Sequence, residues 1–438
     1  MLIEFSVENY RSFQEKQTLS MVAAEDDETM LNSNTFPMPN TDDLHLVTSA
    51  AIYGPNASGK SNLIKAIVTL KQIIVNSATK INPGDKLPLE PFRLNSESSN
   101  QPTIFEAIFI HKDTRYEYGI SATQDQIHEE WLIAYPNEQQ QNWFYRKKHI
   151  IENTESQESQ DYKNYEWSFS EKLKGENGKI KTFTRYNSLF LSHAAQNDHP
   201  QLKEIYKYFR DQINMLTINV NSKGFTFKKC QENQIFREKV VKILSEADIG
   251  ISDIRPELIN VPEEVLQVLK GLINKEIDNP DIESIIHEPK AMRIVTVHKM
   301  NDSEDKTYEL NMDEESDGTQ RLFEMSGLWL DVLEKGELLI VDEIDRSLHP
   351  VLSNALIKMF NDPEINHNNA QLIFTTHDTT LLDEEIFRPD QIWFTEKDNS
   401  MTKLYSLLDF RPREDESLQK GYLLGRYGAI PFINGLSI

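Results

Sequence analysis

The sequence predicts an α/β fold, a mixed sheet built around one helix, and three stretches of the chain predict it. Gly54-Pro55-Asn56-Ala57-Ser58-Gly59-Lys60-Ser61 is a complete G-x-x-x-x-G-K-[ST] loop. It follows the apolar run Ala50-Ala51-Ile52-Tyr53 and precedes Asn62-Leu63-Ile64-Lys65-Ala66-Ile67, whose apolar residues have helical spacing. Glu337-Leu338-Leu339-Ile340-Val341-Asp342-Glu343 is an apolar strand that ends in two carboxylates, and Gln371-Leu372-Ile373-Phe374-Thr375-Thr376 is another that ends in His377-Asp378. Strand, loop and helix come in the order a phosphate-binding unit needs, and both later strands close on polar residues.

Along the chain, Leu2-Ile3-Glu4-Phe5-Ser6-Val7, Thr103-Ile104-Phe105-Glu106-Ala107-Ile108-Phe109 and Arg115-Tyr116-Glu117-Tyr118-Gly119-Ile120 alternate apolar and polar, so the first ~190 residues read mostly as strands. The last two form a hairpin turning at Lys112-Asp113. Residues 25–45 and 151–165, rich in Asp, Glu, Asn, Ser and Thr, read as surface loops. From Pro200 to Ile286 the period changes. Leu202, Ile205, Tyr206 and Phe209, then Val240, Val241, Ile243 and Leu244, recur at helical spacing. This predicts a mostly helical insertion over 195–290, between one lobe at 1–194 and a second at 291–438. Strand character returns at Ile294-Val295-Thr296-Val297, followed by an acidic turn and a helix from Thr319 to Leu333. No internal repeat and no sustained heptad is present, which argues against a long coiled-coil arm.

At 438 residues the chain is long enough for two or three lobes, and 38% hydrophobic with 26% charged residues is the composition of a globular protein. No apolar run approaches the ~18 residues of a membrane helix. Met1-Leu2-Ile3-Glu4-Phe5-Ser6 has neither the basic nor the apolar region of a secretory signal. The one cysteine, Cys230, excludes an internal disulfide. These features predict a cytoplasmic protein with no membrane partner. The net charge of −24, from 46 Lys+Arg against 70 Asp+Glu, argues against coating nucleic acid through the general surface, though a local basic groove is compatible with it. Arg146-Lys147-Lys148-His149, the densest basic cluster, reads as a solvated strand end.

The loop points to a nucleoside triphosphate. Backbone N–H groups of Gly54, Asn56, Ala57, Ser58 and Gly59 can wrap phosphates, aided by the positive end of the following helix. Lys60 neutralises the β and γ oxygens, Asn62 flanks them, and the Ser61 hydroxyl can ligate Mg²⁺. In a parallel sheet Asp342 would stand at the loop's edge and hold the Mg²⁺ shell, while Glu343 would orient and deprotonate water. His377 at the same edge could donate to the γ-phosphate or the attacking water, although a histidine after a strand is ordinarily a loop residue. In Glu315-Ser316-Asp317-Gly318-Thr319-Gln320-Arg321 a hydroxyl, a glycine and a helix start make an anion site that would cap the nucleotide of a neighbouring copy. Simple capping by Asp317 or Thr319 explains the same residues.

The loop with Asn62-Leu63 resembles that of ABC-type heads of the SMC, RecF and Rad50 class, and Glu8-Asn9-Tyr10-Arg11-Ser12-Phe13 resembles their N-terminal strand motif. Ser316-Asp317-Gly318-Thr319 resembles their signature, with Asp317 where glycine is usual, and Asp345-Arg346-Ser347-Leu348-His349-Pro350 resembles their D-loop. His377 matches their switch histidine, and Gln101 is the candidate for their Q-loop glutamine. With the tail Gly425-Arg426-Tyr427-Gly428-Ala429-Ile430-Pro431, the chain resembles the AAA15 family of ABC-type ATPases, which includes AriA-type subunits of anti-phage systems such as PARIS. The resemblance implies an ATPase head that binds ATP and Mg²⁺ and pairs as a homodimer or higher homo-oligomer. Ser316 and Gly318 of one copy would then close over the Lys60-bound nucleotide of the other. It further implies a separately encoded effector, a nuclease or toxin, and a phage-encoded trigger, with part of that contact on the insertion. The alternative is a RecF- or Rad50-like clamp on DNA.

Overall fold

The computed structural model describes residues 1–41, 43–149, 162–216, 222–247, 250–267, 290–300, 303–413 and 417–431. In chain order the strands are β1 (Leu2–Glu8), β2 (Gln17–Ser20), β3 (Thr35–Pro37), β4 (His45–Val47), β5 (Ser49–Tyr53), β6 (Thr103–His111), β7 (Thr114–Ala122), β8 (Ile127–Tyr135) and β9 (Gln141–Lys148). They continue with β10 (Tyr165–Phe169), β11 (Ile213–Leu216), β12 (Ile251–Asn260), β13 (Lys290–Met300), β14 (Ser303–Asn311), β15 (Leu338–Val341), β16 (Gln371–Thr375), β17 (Ile392–Asp398) and β18 (Met401–Ser406). The chain divides into two units. The first is Met1–Thr217 with Val332–Asp345 and Ser353–Ile438; the second is Ile218–Asp331 with Arg346–Leu352.

The first unit holds two large sheets. One is antiparallel throughout, in the order β10-β9-β8-β7-β6-β1-β2. Its β6–β7 hairpin turns at Lys112 and Asp113, both at positive φ (49° and 57°), the backbone a two-residue turn needs to match the strands' right-handed twist. The other sheet has the order β11-β15-β16-β5-β17-β18. All its pairs are parallel except β17–β18, so it is mixed. β5, β15 and β16 are buried along their whole length, as expected for strands covered on both faces. The helix Lys60–Asn76 buries Leu63, Ile64, Ala66, Ile67, Leu70, Ile73 and Ile74. This stripe shares one core with Phe5, Val7, Phe105 and Phe109 of the antiparallel sheet and with Ala50, Ile52, Ile340 and Ile373 of the mixed one. At roughly 1.5–3 kcal/mol per fully buried large aliphatic side chain, that stripe anchors the loop before it.

The second unit carries the helices Ser222–Glu232 and Gln234–Glu246, capped between them by the Asn233 side chain, which accepts from Phe236 N. It also holds a three-stranded antiparallel sheet, β12-β13-β14. The middle of the chain therefore differs from the helical expectation. Leu202–Asp211 is a helix, but it and β11 belong to the first unit, because Ile213 to Leu216 pair with Leu338 to Val341 inside the mixed sheet. Residues 251–260 are strand, held by pairing with β13 from Ile251↔His298 to Asn260↔Lys290. The structural seam falls at 217/218, and the second unit includes the Ser316 segment. Within the expected insertion, 217–221, 248–249 and 268–289 lie outside the described residues, as do 151–161 of the expected loop at 151–165.

The basic cluster departs from its reading at Arg146, while Lys147 and His149 are exposed at the strand end. Arg146 is fully buried, 3.8 Å from fully buried Glu130 on the neighbouring strand. Its guanidinium donates to Ser188 O (2.8 Å) and Arg185 O (3.0 Å) and lies over the Tyr165 ring at 4.0 Å. Glu130 accepts from Phe190 N (2.7 Å), Leu191 N (3.0 Å) and the Tyr118 hydroxyl (3.1 Å). These bonds and the opposite charge offset the desolvation of the pair, although Arg146 Nε has no partner among the described residues.

Candidate functional site

Parallel pairing sets the site. Thr375 lies opposite Ile52 and Val341 opposite Phe374, so β5, β15 and β16 end together. The residues that follow them, Gly54, Asp342-Glu343 and Thr376-His377, share one sheet edge. The loop backbone there is one that glycine permits. Gly54 has φ 150° and Gly59 φ 122°, and a Cβ would fall 2.4 Å from Thr395 O at the first and 2.3 Å from Thr402 Oγ1 at the second. Asn56 and Ala57 form the exposed crest, with Ala57 at φ 62°.

Four supporting residues were not marked by the motif. Ser58 Oγ bonds Thr395 Oγ1 (2.6 Å), and Thr402 Oγ1 donates to Ser58 O (2.7 Å). Asn62 Nδ2, read as flanking phosphates, donates to Ser12 Oγ (2.8 Å), tying the N-terminal Glu8–Phe13 motif to the helix start. The fourth is Thr375. Its hydroxyl donates to Asp342 Oδ1 (2.7 Å) and accepts from Glu343 N (2.8 Å). The Thr375-Thr376 pair ahead of His377 is the only signal the sequence offered for it.

Lys60 is buried and donates to Gly54 O (2.7 Å) and Pro55 O (3.1 Å). Burial lowers its pKa to about 8, against the opposing pull of Asp342, Glu343 and Asp345. Ser61 Oγ donates to Asp342 Oδ1 (3.1 Å). Glu343 sits at φ 56°, a left-handed conformation unusual for a side-chain-bearing residue; Thr375 fixes it there. His377 N donates to Asp345 Oδ2 (3.4 Å), and burial, then the nearby Lys60 charge, lowers the imidazole pKa below its ordinary value. A neutral ring is then present at pH 7, able to donate from one nitrogen and accept at the other.

Ser61 Oγ and Asp342 Oδ1 could hold a divalent cation. Among the described residues no group of three or more His, Cys, Asp or Glu could do so. A hydroxyl and one carboxylate, with water and phosphate oxygens completing the octahedron, suit Mg²⁺.

The other sequence candidates lie elsewhere. Ser316 and Gly318 belong to the second unit, and there Ser316 itself caps the helix Asp317–Lys335, accepting from Thr319 N (3.2 Å). The capping residue is thus neither Asp317 nor Thr319, because the helix begins one residue after Ser316. A Cβ on Gly318 would lie 3.0 Å from Ser347 O. Gln101 is exposed before β6, its carbonyl bonded by Asn9 Nδ2 (2.7 Å).

A family model described as "AAA domain, putative AbiEii toxin, Type IV TA system" matches residues 49–383. The chain belongs to this family. The AAA-domain match spans the loop, the Asp342-Glu343 strand and His377, and the fold is a mixed α/β P-loop fold built around the helix Lys60–Asn76. No curated protein matches the chain. Among solved structures it is similar to an SMC head domain from Thermotoga maritima, at 13% identity and a TM-score of 0.40, covering 92% of this chain and 98% of that one. It is also similar to an Smc head domain with an extended coiled coil, bound to the C-terminal domain of ScpA, from Pyrococcus furiosus (11% identity, TM-score 0.36, covering 97% and 98%). Among the described residues, no helix is long and apolar enough to cross a membrane.

Proposed function

We propose that the chain binds ATP with Mg²⁺ and hydrolyses it, and that the cycle governs a separately encoded effector in anti-phage defence, as in the AAA15 family it resembles. The observation that carries the chemical part is Thr375, whose single hydroxyl holds Asp342 beside Ser61 and fixes the backbone of Glu343. Mg²⁺, when bound, would neutralise charge on the phosphates. Lys60 and the loop amides would hold the β and γ oxygens, Ser61 and Asp342 the cation. Glu343 would orient water and accept its proton, and His377 would donate a hydrogen bond to the γ-phosphate. The family description, with its putative toxin and toxin–antitoxin system, supports a place in an abortive-infection pair.

Lys60 sets a pH dependence. Phosphates bind its charged form, and its free pKa is about 8. Affinity is therefore full below pH 8 and falls as pH rises through 8, by up to about tenfold per unit until the higher pKa of the bound state is reached. Titration calorimetry of ATPγS at pH 8.5, in buffers of different ionisation enthalpy, should show proton uptake. Proton release, or affinity flat from pH 7 to 9.5, would contradict this.

The head would work in pairs, with Ser316 and Gly318 of a second copy completing the site. Neither a Lys60→Ala chain nor a Ser316→Arg chain should then turn over ATP alone. Mixed, they should recover part of the parent rate, since one of the two composite sites is intact. Verified mixed dimers that stay inactive would rule the shared site out. The isolated chain should leave DNA and RNA intact; cleavage by it would make the chain its own toxin.

A further inference from the structure

Behind the sheet edge, three buried oxygen atoms have no hydrogen-bond partner among the described residues: Tyr53 Oη, Asp345 Oδ1 and Asp378 Oδ2. Strand geometry brings their residues together. Tyr53 ends β5, next to Ile52, whose carbonyl accepts from Thr376 N (3.2 Å). On the other side Ile344 N donates to Thr375 O (3.0 Å), which brings Asp345 beside the same segment. The second oxygen of each carboxylate is engaged: Asp345 Oδ2 accepts from His377 N, and Asp378 Oδ1 accepts from Thr380 N (2.9 Å) and Thr380 Oγ1 (2.6 Å). Tyr53 is 1% exposed, its ring wedged against Tyr422 and Phe394.

An orphaned buried hydroxyl and two orphaned carboxylate oxygens each carry an uncompensated desolvation cost, larger for the charged groups. Their needs match one water, which accepts from the phenol and donates one proton to each carboxylate; buried waters commonly make about three such bonds. We infer that Tyr53 is a positioning residue, whose hydroxyl ties Asp345 and Asp378 through one bound water into a unit that fixes where His377 stands. His377 is held from both sides of this unit, by its own N–H to Asp345 and by its peptide link to Asp378. Burial, and then the charges of Asp378 and Asp345, hold the phenol well above its ordinary pKa, so it remains a donor throughout the working range. The consequence for turnover rests on the ATPase reading above; the positional claim does not.

The test is Tyr53→Phe, which keeps the ring and deletes the oxygen. In the nucleotide-free protein with labelled histidines, the His377 ring resonances, assigned by their loss in His377→Gln, should shift in Tyr53→Phe and in Asp378→Asn. The melting temperature should stay within about 2 °C, because the deleted group has no hydrogen-bond partner among the described residues. Turnover should fall about tenfold with nucleotide Kd within about twofold of the parent, the signature of misplacement and not of lost binding. The double variant should be no worse than the poorer single one. Unmoved His377 resonances would overturn the inference, and so would a turnover loss matched by an equal loss of affinity or of melting temperature. A parent that does not hydrolyse ATP would sink the functional reading and leave the resonance test to decide this one.

Discussion

Replacing Glu343 by glutamine is expected to cut ATP turnover by about 10²- to 10⁴-fold, the usual contribution of a positioned general base, while ATP still binds. Glutamine keeps the shape of the side chain, and the backbone stays in place because its N–H is bonded by Thr375, a contact the substitution does not touch. Lys60 and Ser61, which would meet the phosphates and the cation, are equally untouched. One secondary effect has a definite sign. Glu343 is among the carboxylates that raise the Lys60 pKa, so its neutralisation should move that pKa below about 8 and shift the loss of ATP affinity to lower pH. Lys60→Ala should behave oppositely, losing binding. Single-turnover hydrolysis and equilibrium binding at pH 7 separate the two. Parent-like turnover in Glu343→Gln would remove the general-base assignment.

Arg146→Met is expected to destabilise the protein by about 3–5 kcal/mol, the range for removing one partner of a buried ion pair. It strands Glu130 at 0% exposure with two backbone amides and a phenol but no countercharge, and it frees the carbonyls of Ser188 and Arg185. The pH dependence follows from Glu130. Burial already raises its pKa in the folded state, and losing Arg146 raises it further. A carboxyl with a raised folded pKa loses stability as pH climbs from its unfolded to its folded value. The gap between variant and parent should accordingly be widest at pH 8 and narrow toward pH 5. Glu130→Gln combined with Arg146→Met should recover part of the loss. Urea unfolding midpoints at the two pH values test this, and a gap that widens on acidification would contradict it.

The sequence revealed those parts of the site that chemistry forces to be contiguous. Phosphates require consecutive amides, so Gly54 to Ser61 read as a motif, and the carboxylates and histidine showed because they close apolar strands. Their supports did not show. Thr402 meets Ser58 across 344 positions and Thr375 meets Asp342 across 33, and a lone threonine carries no local pattern. Arg146 read as solvated because its burial depends on a strand register that places it opposite Glu130. The sequence of β12 carries no strand signal because only Ile251 and Ile254 of its ten residues are buried, too few to impose a period of two.

The seams of the second unit bear on how relatives of this chain can exchange parts. The chain crosses between units at 217/218, 331/332, 345/346 and 352/353, and two of these crossings lie inside the helices Asp317–Lys335 and Pro350–Asn361. A cassette swap with two cut points therefore cannot transplant this unit intact: excising 195–290 would remove β11 from the mixed sheet and β12 from its own, and would leave Arg346–Leu352 behind. Chimaeras between relatives have to be cut at all four seams, or they will report on broken sheets instead of exchanged specificity.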